Sequence, residues 1–159
     1  MTRTAVVITV SDRSAAGERE DAGGPLAVAA LREAGYACGD AVIVPDGADA
    51  VEQALRDALH HGAHLVVTTG GTGIGPRDRT PEGTARVLER EVPGIAEELR
   101  RRGAAEKATA LLSRGLVGVA SGALIVNLPG SPRAVASGMP LLVEIAAHAI
   151  GQLAGEDHA

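Results

Sequence analysis

Apolar positions along this chain follow two rhythms. Short continuous runs rich in β-branched residues occur at residues 4–10 (TAVVITV), 41–44, 65–69 (LVVTT), 116–120 and 123–128. Runs of this length and composition predict buried strands. Between them the spacing changes to a helical one, seen best in Val51, Ala54, Leu55, Ala58 and Leu59, which share one face of a helix that Gly62 should stop. Further helices are expected over residues 25–34, opened by Pro25, over 81–91, with Thr80 as cap and Pro81 in the first turn, and over 93–103. Pro140 should divide the last helical stretch into a short segment and a longer one reaching residue 153, because a proline ring clashes with the carbonyl four residues earlier. Only Ser121 and Gly122 separate the last two strands, so these should form an antiparallel hairpin.

Strands alternating with helices predict an α/β fold: three layers, α/β/α, around a mostly parallel sheet with one antiparallel strand. With 159 residues and no repeat or linker, residues 1–159 read as a single domain with a loose tail at 156–159. Composition narrows the function. Tyr36 is the only aromatic residue among Phe, Trp and Tyr, and the formal charge is −5. Nucleic-acid binding is disfavoured, since such proteins usually carry stacking rings or a basic face. Cys38 is a lone cysteine, so an internal disulfide is excluded, and it reads as a small core residue. The N-terminus lacks the pattern of a signal peptide, and no segment reads as about 18 consecutive apolar residues, so a cytoplasmic protein with no membrane contact is expected.

Ligands of open α/β sheets bind beyond the carboxyl ends of the strands. Four loops should meet there: Ser11-Asp12-Arg13, Pro45-Asp46-Gly47, the glycine-rich stretch from Gly70 to Asp78, and Pro129-Gly130-Ser131-Pro132. Gly70, Gly71, Gly73 and Gly75 lack side chains, which would let a phosphate or a flat ring approach the backbone; a tight turn is the bland alternative, but four glycines with an acid and a capped helix exceed what a turn requires. The spacing is neither that of a Walker A loop nor that of the dinucleotide fingerprint. Two helix starts, at Thr80-Pro81 and Ser131-Pro132, offer unpaired amides to anions. Two carboxylates about 4 Å apart repel by about 4 kcal/mol at an effective dielectric of 20. A helix dipole offsets less than about 1 kcal/mol of that. Phosphates nearby would add to the repulsion between any two of Asp12, Asp46 and Asp78 that converge, and Mg²⁺ would resolve it. The five histidines lack zinc-ligand spacing, Arg100 to Arg102 read as a solvated helix end, and Arg114 reads as a surface salt bridge within reach of a phosphate.

The stretch TTGGTGIGPRDRTPEGT resembles the signature loop of the MogA/MoaB family of molybdenum cofactor biosynthesis, shared by the G domain of gephyrin. Ser11-Asp12-Arg13 with Asp21 and Gly23-Gly24-Pro25, then Val44-Pro45-Asp46, Leu112-Ser113-Arg114 and Asn127-Leu128-Pro129-Gly130-Ser131-Pro132, resemble its other motifs in the same order. The resemblance implies the molybdopterin-binding fold and a molybdopterin adenylyltransferase, which transfers AMP from Mg-ATP to the terminal phosphate of molybdopterin and releases pyrophosphate. It implies Asp46 and Asp78 as the catalytic pair, and these two as the residues that coordinate Mg²⁺. Residues expected to line the substrate pockets are Ser11, Asp12, Gly70, Gly71, Thr72, Gly73, Gly75, Thr80, Pro81, Glu82, Ser113, Arg114, Pro129, Gly130 and Ser131. It further implies a homotrimer and a MoeA-like molybdate insertase downstream. Two alternatives stay open: a non-catalytic molybdopterin-binding or carrier protein of the MoaB type, and an unrelated nucleotide-binding module.

Overall fold

The computed structural model of the chain describes residues 2–156. Seven strands form one sheet: β1 (Thr4–Val10), β2 (Ala37–Cys38), β3 (Val42–Val44), β4 (Leu65–Thr69), β5 (Arg90–Glu91), β6 (Val117–Ala120) and β7 (Ala123–Leu128). Their order is β2-β1-β4-β7-β6-β5, with β3 also pairing to β1. All pairs are parallel except those made by β6, which runs against both β5 and β7. The hairpin turn places Ser121 and Gly122 at φ 50° and 74°, the signs a two-residue hairpin loop requires.

Strand periodicity of two sorts the core into two halves. Val7, Leu65, Val67, Leu124 and Val126 face helices α2 (Gly23–Glu33), α5 (Pro93–Glu106) and α6 (Pro132–Leu153). Ile8, Val66 and Ile125 face α3 (Ala48–His60), whose Val51, Leu55 and Ala58 are the buried members of the stripe read from the sequence. The three-layer α/β/α architecture is therefore as expected, with β6 the single reversed strand.

Four local expectations were wrong. The segment after Thr80 is helical only over α4 (Thr80–Ala85); Arg90–Glu91 pairs with β6, whose outer edge would otherwise leave its ladder groups unpaired. A short helix, α1 (Asp12–Ala15), occupies part of the predicted polar loop, and Ala37–Cys38 adds a strand where none was expected. Pro140 does not divide the last helix, which is continuous over 22 residues. Val135, Met139, Leu142, Ala146 and Ile150 form one buried stripe on both sides of the proline. Pro140 and Ala136 lie on the exposed face, where a carbonyl without a helical donor is open to water. By length and composition alone α6 is apolar enough to cross a membrane; here its apolar stripe packs on the sheet. Glu156 of the expected tail donates its backbone N–H to the Gly151 carbonyl, and residues 157–159 lie outside the described residues.

Tyr36 is buried, and its hydroxyl makes no hydrogen bond among the described residues. A buried unsatisfied hydroxyl costs about 1–3 kcal/mol. Tyr36→Phe should therefore stabilise the protein by about 1 kcal/mol, read as a higher urea midpoint at unchanged slope. A lower midpoint would mean that the hydroxyl is satisfied.

Candidate active site

The parallel strands β1, β3, β4 and β7 deliver four loops to one edge of the sheet. β1 ends at Val10, beside Val44 at the end of β3, and the Ser11 amide bonds the Val44 carbonyl at 2.9 Å. β4 lies between β1 and β7, so the glycine loop after Thr69 emerges between the Ser11 loop and the Pro129-Gly130-Ser131 turn. These loops bound a cleft of about 390 Å³ whose lining includes Ser11, Asp21, Asp46, Gly71, Asp78, Gly130 and Ser131. Asp46 and Asp78, distant in sequence, thus face one space.

Each of these carboxylates uses one oxygen to order backbone, Asp46 that of the Ser11 loop and Asp78 that of its own. Asp46 Oδ2 accepts the Asp12 amide at 2.9 Å, while Asp12 Oδ1 accepts the Asp46 amide at 3.1 Å. Asp78 Oδ2 accepts the Gly75 amide at 2.9 Å. Asp46 Oδ1 and Asp78 Oδ1 engage no hydrogen-bond donor among the described residues. Burial pushes the Asp46 carboxyl up from the usual carboxylate range, and the charges of Asp12 and Asp78 push the same way; the Asp12 amide and the Arg77 charge oppose them. Two uncommitted carboxylate oxygens in an acidic cleft form a donor set suited to a hard divalent cation such as Mg²⁺. Among the described residues no group of three or more His, Cys, Asp or Glu side chains is placed to hold a metal, so such an ion would take its remaining ligands from phosphate and water.

The glycines have an internal use. A Cβ on Gly70 would overlap the Val10 carbonyl oxygen, and one on Gly71 the Thr80 hydroxyl. A Cβ on Gly73 or Gly75 would come within 3.0 or 2.9 Å of Asp78 Oδ2, closer than ordinary contact. The loop therefore needs glycine because strand end, helix start and carboxylate crowd against it. The amides of Gly71, Thr72 and Gly73 engage no acceptor among the described residues.

The other expected site residues divide into groups. Ser113, Pro129 and Ser131 line a second cavity of about 280 Å³ against α5 and α6, so Ser131 borders both spaces. Its hydroxyl caps α6 by accepting the Ala134 amide at 3.1 Å. Gly70, Thr72, Thr80 and Pro81 are buried beneath the loop. Thr80 is not the α4 cap; its hydroxyl donates to the Gly70 carbonyl at 2.9 Å, and Arg79 takes the cap position. Arg114 pairs with Glu82 at 2.6 Å and donates to the carbonyls of Gly73 and Asp78, so it is a clamp on the loop. The Glu82 carboxyl is held below the usual range by that guanidinium. Arg100 is also more than a solvated helix end, donating to the Gly115 carbonyl at 2.9 Å.

Sequence reasoning missed Arg77. Its guanidinium grips Asp12 with two bonds of 3.0 and 3.1 Å and donates to the Asp46 carbonyl at 3.0 Å, and this fork holds the Asp12 carboxyl low. Asp12 is 65 positions away, so no local pattern pairs them. Asp21 was read only as part of a motif; it accepts from the Thr9 hydroxyl at 2.7 Å and from the Gly24 amide at 3.0 Å on the cleft wall.

A family profile described as a probable molybdopterin binding domain matches residues 6–148. The molybdenum cofactor biosynthesis bifunctional protein of Synechococcus elongatus is 42% identical over 154 residues, covering 97% of this chain and 48% of that protein. The molybdopterin adenylyltransferase of Haemophilus influenzae is 39% identical over 132 residues, covering 81% of this chain and 67% of that one. The chain thus spans about half the length of the bifunctional relatives it matches. The solved structure of the molybdopterin biosynthesis Mog protein from Mycobacterium ulcerans superposes with a TM-score of 0.92 at 42% identity, covering 98% of this chain and 99% of that one. The resemblance carried by the sequence motifs is borne out, and the chain belongs to the probable molybdopterin binding domain family, among the MogA and MoaB proteins.

Proposed function

We propose that residues 1–159 form a single molybdopterin-binding domain that acts as a molybdopterin adenylyltransferase, a nucleotidyltransferase of molybdenum cofactor biosynthesis. An oxygen of the terminal phosphate of molybdopterin bonds to the α-phosphorus of ATP. The bond from that phosphorus to the oxygen bridging to the β-phosphate breaks, and pyrophosphate leaves with the electron pair. Such a transfer asks the protein mainly for positioning and charge stabilisation. The observation that carries this reading is the convergence of Asp46 and Asp78 on one cleft, each with an oxygen left over. Bound Mg²⁺ would neutralise charge on the reacting phosphates between these two carboxylates. Amides of Gly71 to Gly73 and the N-terminus of α6 at Ser131 would hold anionic groups. The two cavities that meet at Ser131 give room for two reactants.

The adenylyltransferase named in Haemophilus influenzae supports the reading, as does the same name for an Escherichia coli relative 36% identical over 132 residues. In this proposal the protein is a cytoplasmic homotrimer, and its adenylylated product passes to a MoeA-like insertase. The test is incubation of the purified protein with molybdopterin, ATP and Mg²⁺. Formation of adenylylated molybdopterin with release of pyrophosphate is the expected result. Tight molybdopterin binding without transfer would replace the proposal with a carrier role, and nucleotide binding without pterin binding with an unrelated nucleotide module.

A further inference from the structure

The proposed transfer gives Arg77 no direct part, yet its guanidinium makes three hydrogen bonds at the edge of the site. Two go to the Asp12 carboxylate and one to the Asp46 carbonyl. Asp12 and Asp46 in turn exchange amide-to-carboxylate bonds, so the Asp46 loop is held from both its backbone and its side chain. Arg77 sits beside Asp78 in a turn closed on itself by the Gly75–Asp78 bonds, the Asp78 amide to the Gly75 carbonyl at 3.1 Å and the Gly75 amide to Asp78 Oδ2. Beyond Gly71 the loop has few ties. Among the described residues, the bonds of Arg77 are the only hydrogen bonds joining residues 72–79 to the loops after β1 and β3. On the other flank Arg114 holds the same loop through the Gly73 and Asp78 carbonyls. The loop carrying Asp78 is strung between two arginines, and only one of them reaches the loop carrying Asp46.

We infer that Arg77 is a positioning residue that fixes the separation of Asp46 and Asp78, acting through Asp12 and the Asp46 backbone. This rests on the adenylyl-transfer reading for its consequence but not for its geometry. A planar fork holding a carboxylate and a carbonyl together defines distance and orientation, which a lysine ammonium does not. The Arg77 side chain is 64% exposed and that of Asp12 44% exposed, so their pair contributes little to global stability. Outer residues that orient ligand-bearing side chains typically matter by about 10–100-fold in activity or metal affinity.

The test is a double-mutant cycle with Arg77→Gln, Asp12→Asn and both together, read as kcat and KM for ATP in the AMP-transfer assay. Each single variant should lose about 10–100-fold in kcat, with a smaller change in KM and an unchanged urea midpoint. Because the two act as one unit, the double variant should lie within about twofold of the worse single. Arg77→Lys should recover only part of the loss and serves if the Gln variant fails to fold. A wild-type kcat in Arg77→Gln, losses that multiply in the double, or full rescue by lysine would overturn the inference. A second readout does not need transfer: Mn²⁺ binding to the ATP-loaded protein, followed by electron paramagnetic resonance, should weaken about tenfold or more in Arg77→Gln. Should the wild-type protein transfer no AMP, the adenylyl-transfer reading fails, and Mn²⁺ binding alone decides on Arg77: unchanged affinity would refute its positioning role.

Discussion

Asp78→Asn should lower AMP transfer by about 100- to 1,000-fold, the usual cost of removing one preorganised electrostatic group from a reaction centre, while the urea midpoint stays at the wild-type value. The substitution separates the two things this side chain does. Its Oδ2 accepts the Gly75 amide and closes the turn; an asparagine carbonyl oxygen accepts the same bond, so the loop keeps its shape. What is lost is the negative charge facing the cleft alongside Asp46. On the proposed reading, with that charge gone the pair no longer needs a divalent cation to relieve its repulsion, and the cation would be held by one carboxylate fewer. The Mg²⁺ concentration for half-maximal rate should therefore rise together with the fall in kcat. Nucleotide binding without metal should hold or improve, since repulsion of the phosphates weakens. Wild-type transfer by this variant would remove Asp78 from the mechanism, and a collapsed urea midpoint would mean that its role is structural.

The contrast between Asp78 and Arg77 shows what the sequence reveals. Asp12, Asp46 and Asp78 were legible as strand-end acids because parallel strands bring their carboxyl ends to one edge, and the family resemblance then singled out Asp46 and Asp78. The same logic located Ser131 at the start of α6. Arg77 follows no such rule: its partners come from two other loops, and guanidiniums on loops are usually solvated. Arg114 was read as a surface ion pair within reach of a phosphate; it does pair with Glu82 at 2.6 Å, and it also donates to the carbonyls of Gly73 and Asp78, supplied from far along the chain. The misread helices have a related cause. Local propensity favoured helix through residue 91, but the edge of β6 offered Arg90 and Glu91 a ladder, and only the assembled sheet creates that edge. At Pro140 the local rule lost to a buried stripe that runs from Val135 to Ile150.

Gly70→Ala should be the most damaging single methyl in the loop, costing about 3 kcal/mol or more. For a chain of this size that corresponds to a fall in Tm of about 6–12 °C. Two effects add. Gly70 has φ +98°, a conformation that L side chains rarely adopt, which alone costs about 1–3 kcal/mol. Its Cβ would also overlap the Val10 carbonyl oxygen, a backbone atom at the end of β1 with no freedom to withdraw. Nor does Gly70 have room to retreat: its amide bonds the Leu128 carbonyl at 2.9 Å, its carbonyl accepts the Thr80 hydroxyl at 2.9 Å, and Gly130 packs directly against its Cα. Gly35 supplies the control. It has nearly the same φ, +97°, but nothing lies within 4 Å of the place its Cβ would take. Gly35→Ala should show the conformational cost alone, about 1 kcal/mol or slightly more. The difference between the two variants then measures the overlap, and with it how tightly the end of β1 presses on the loop that positions Asp78. Equal melting temperatures for the two would mean that this loop yields, and a yielding loop would not hold two carboxylates at a fixed spacing.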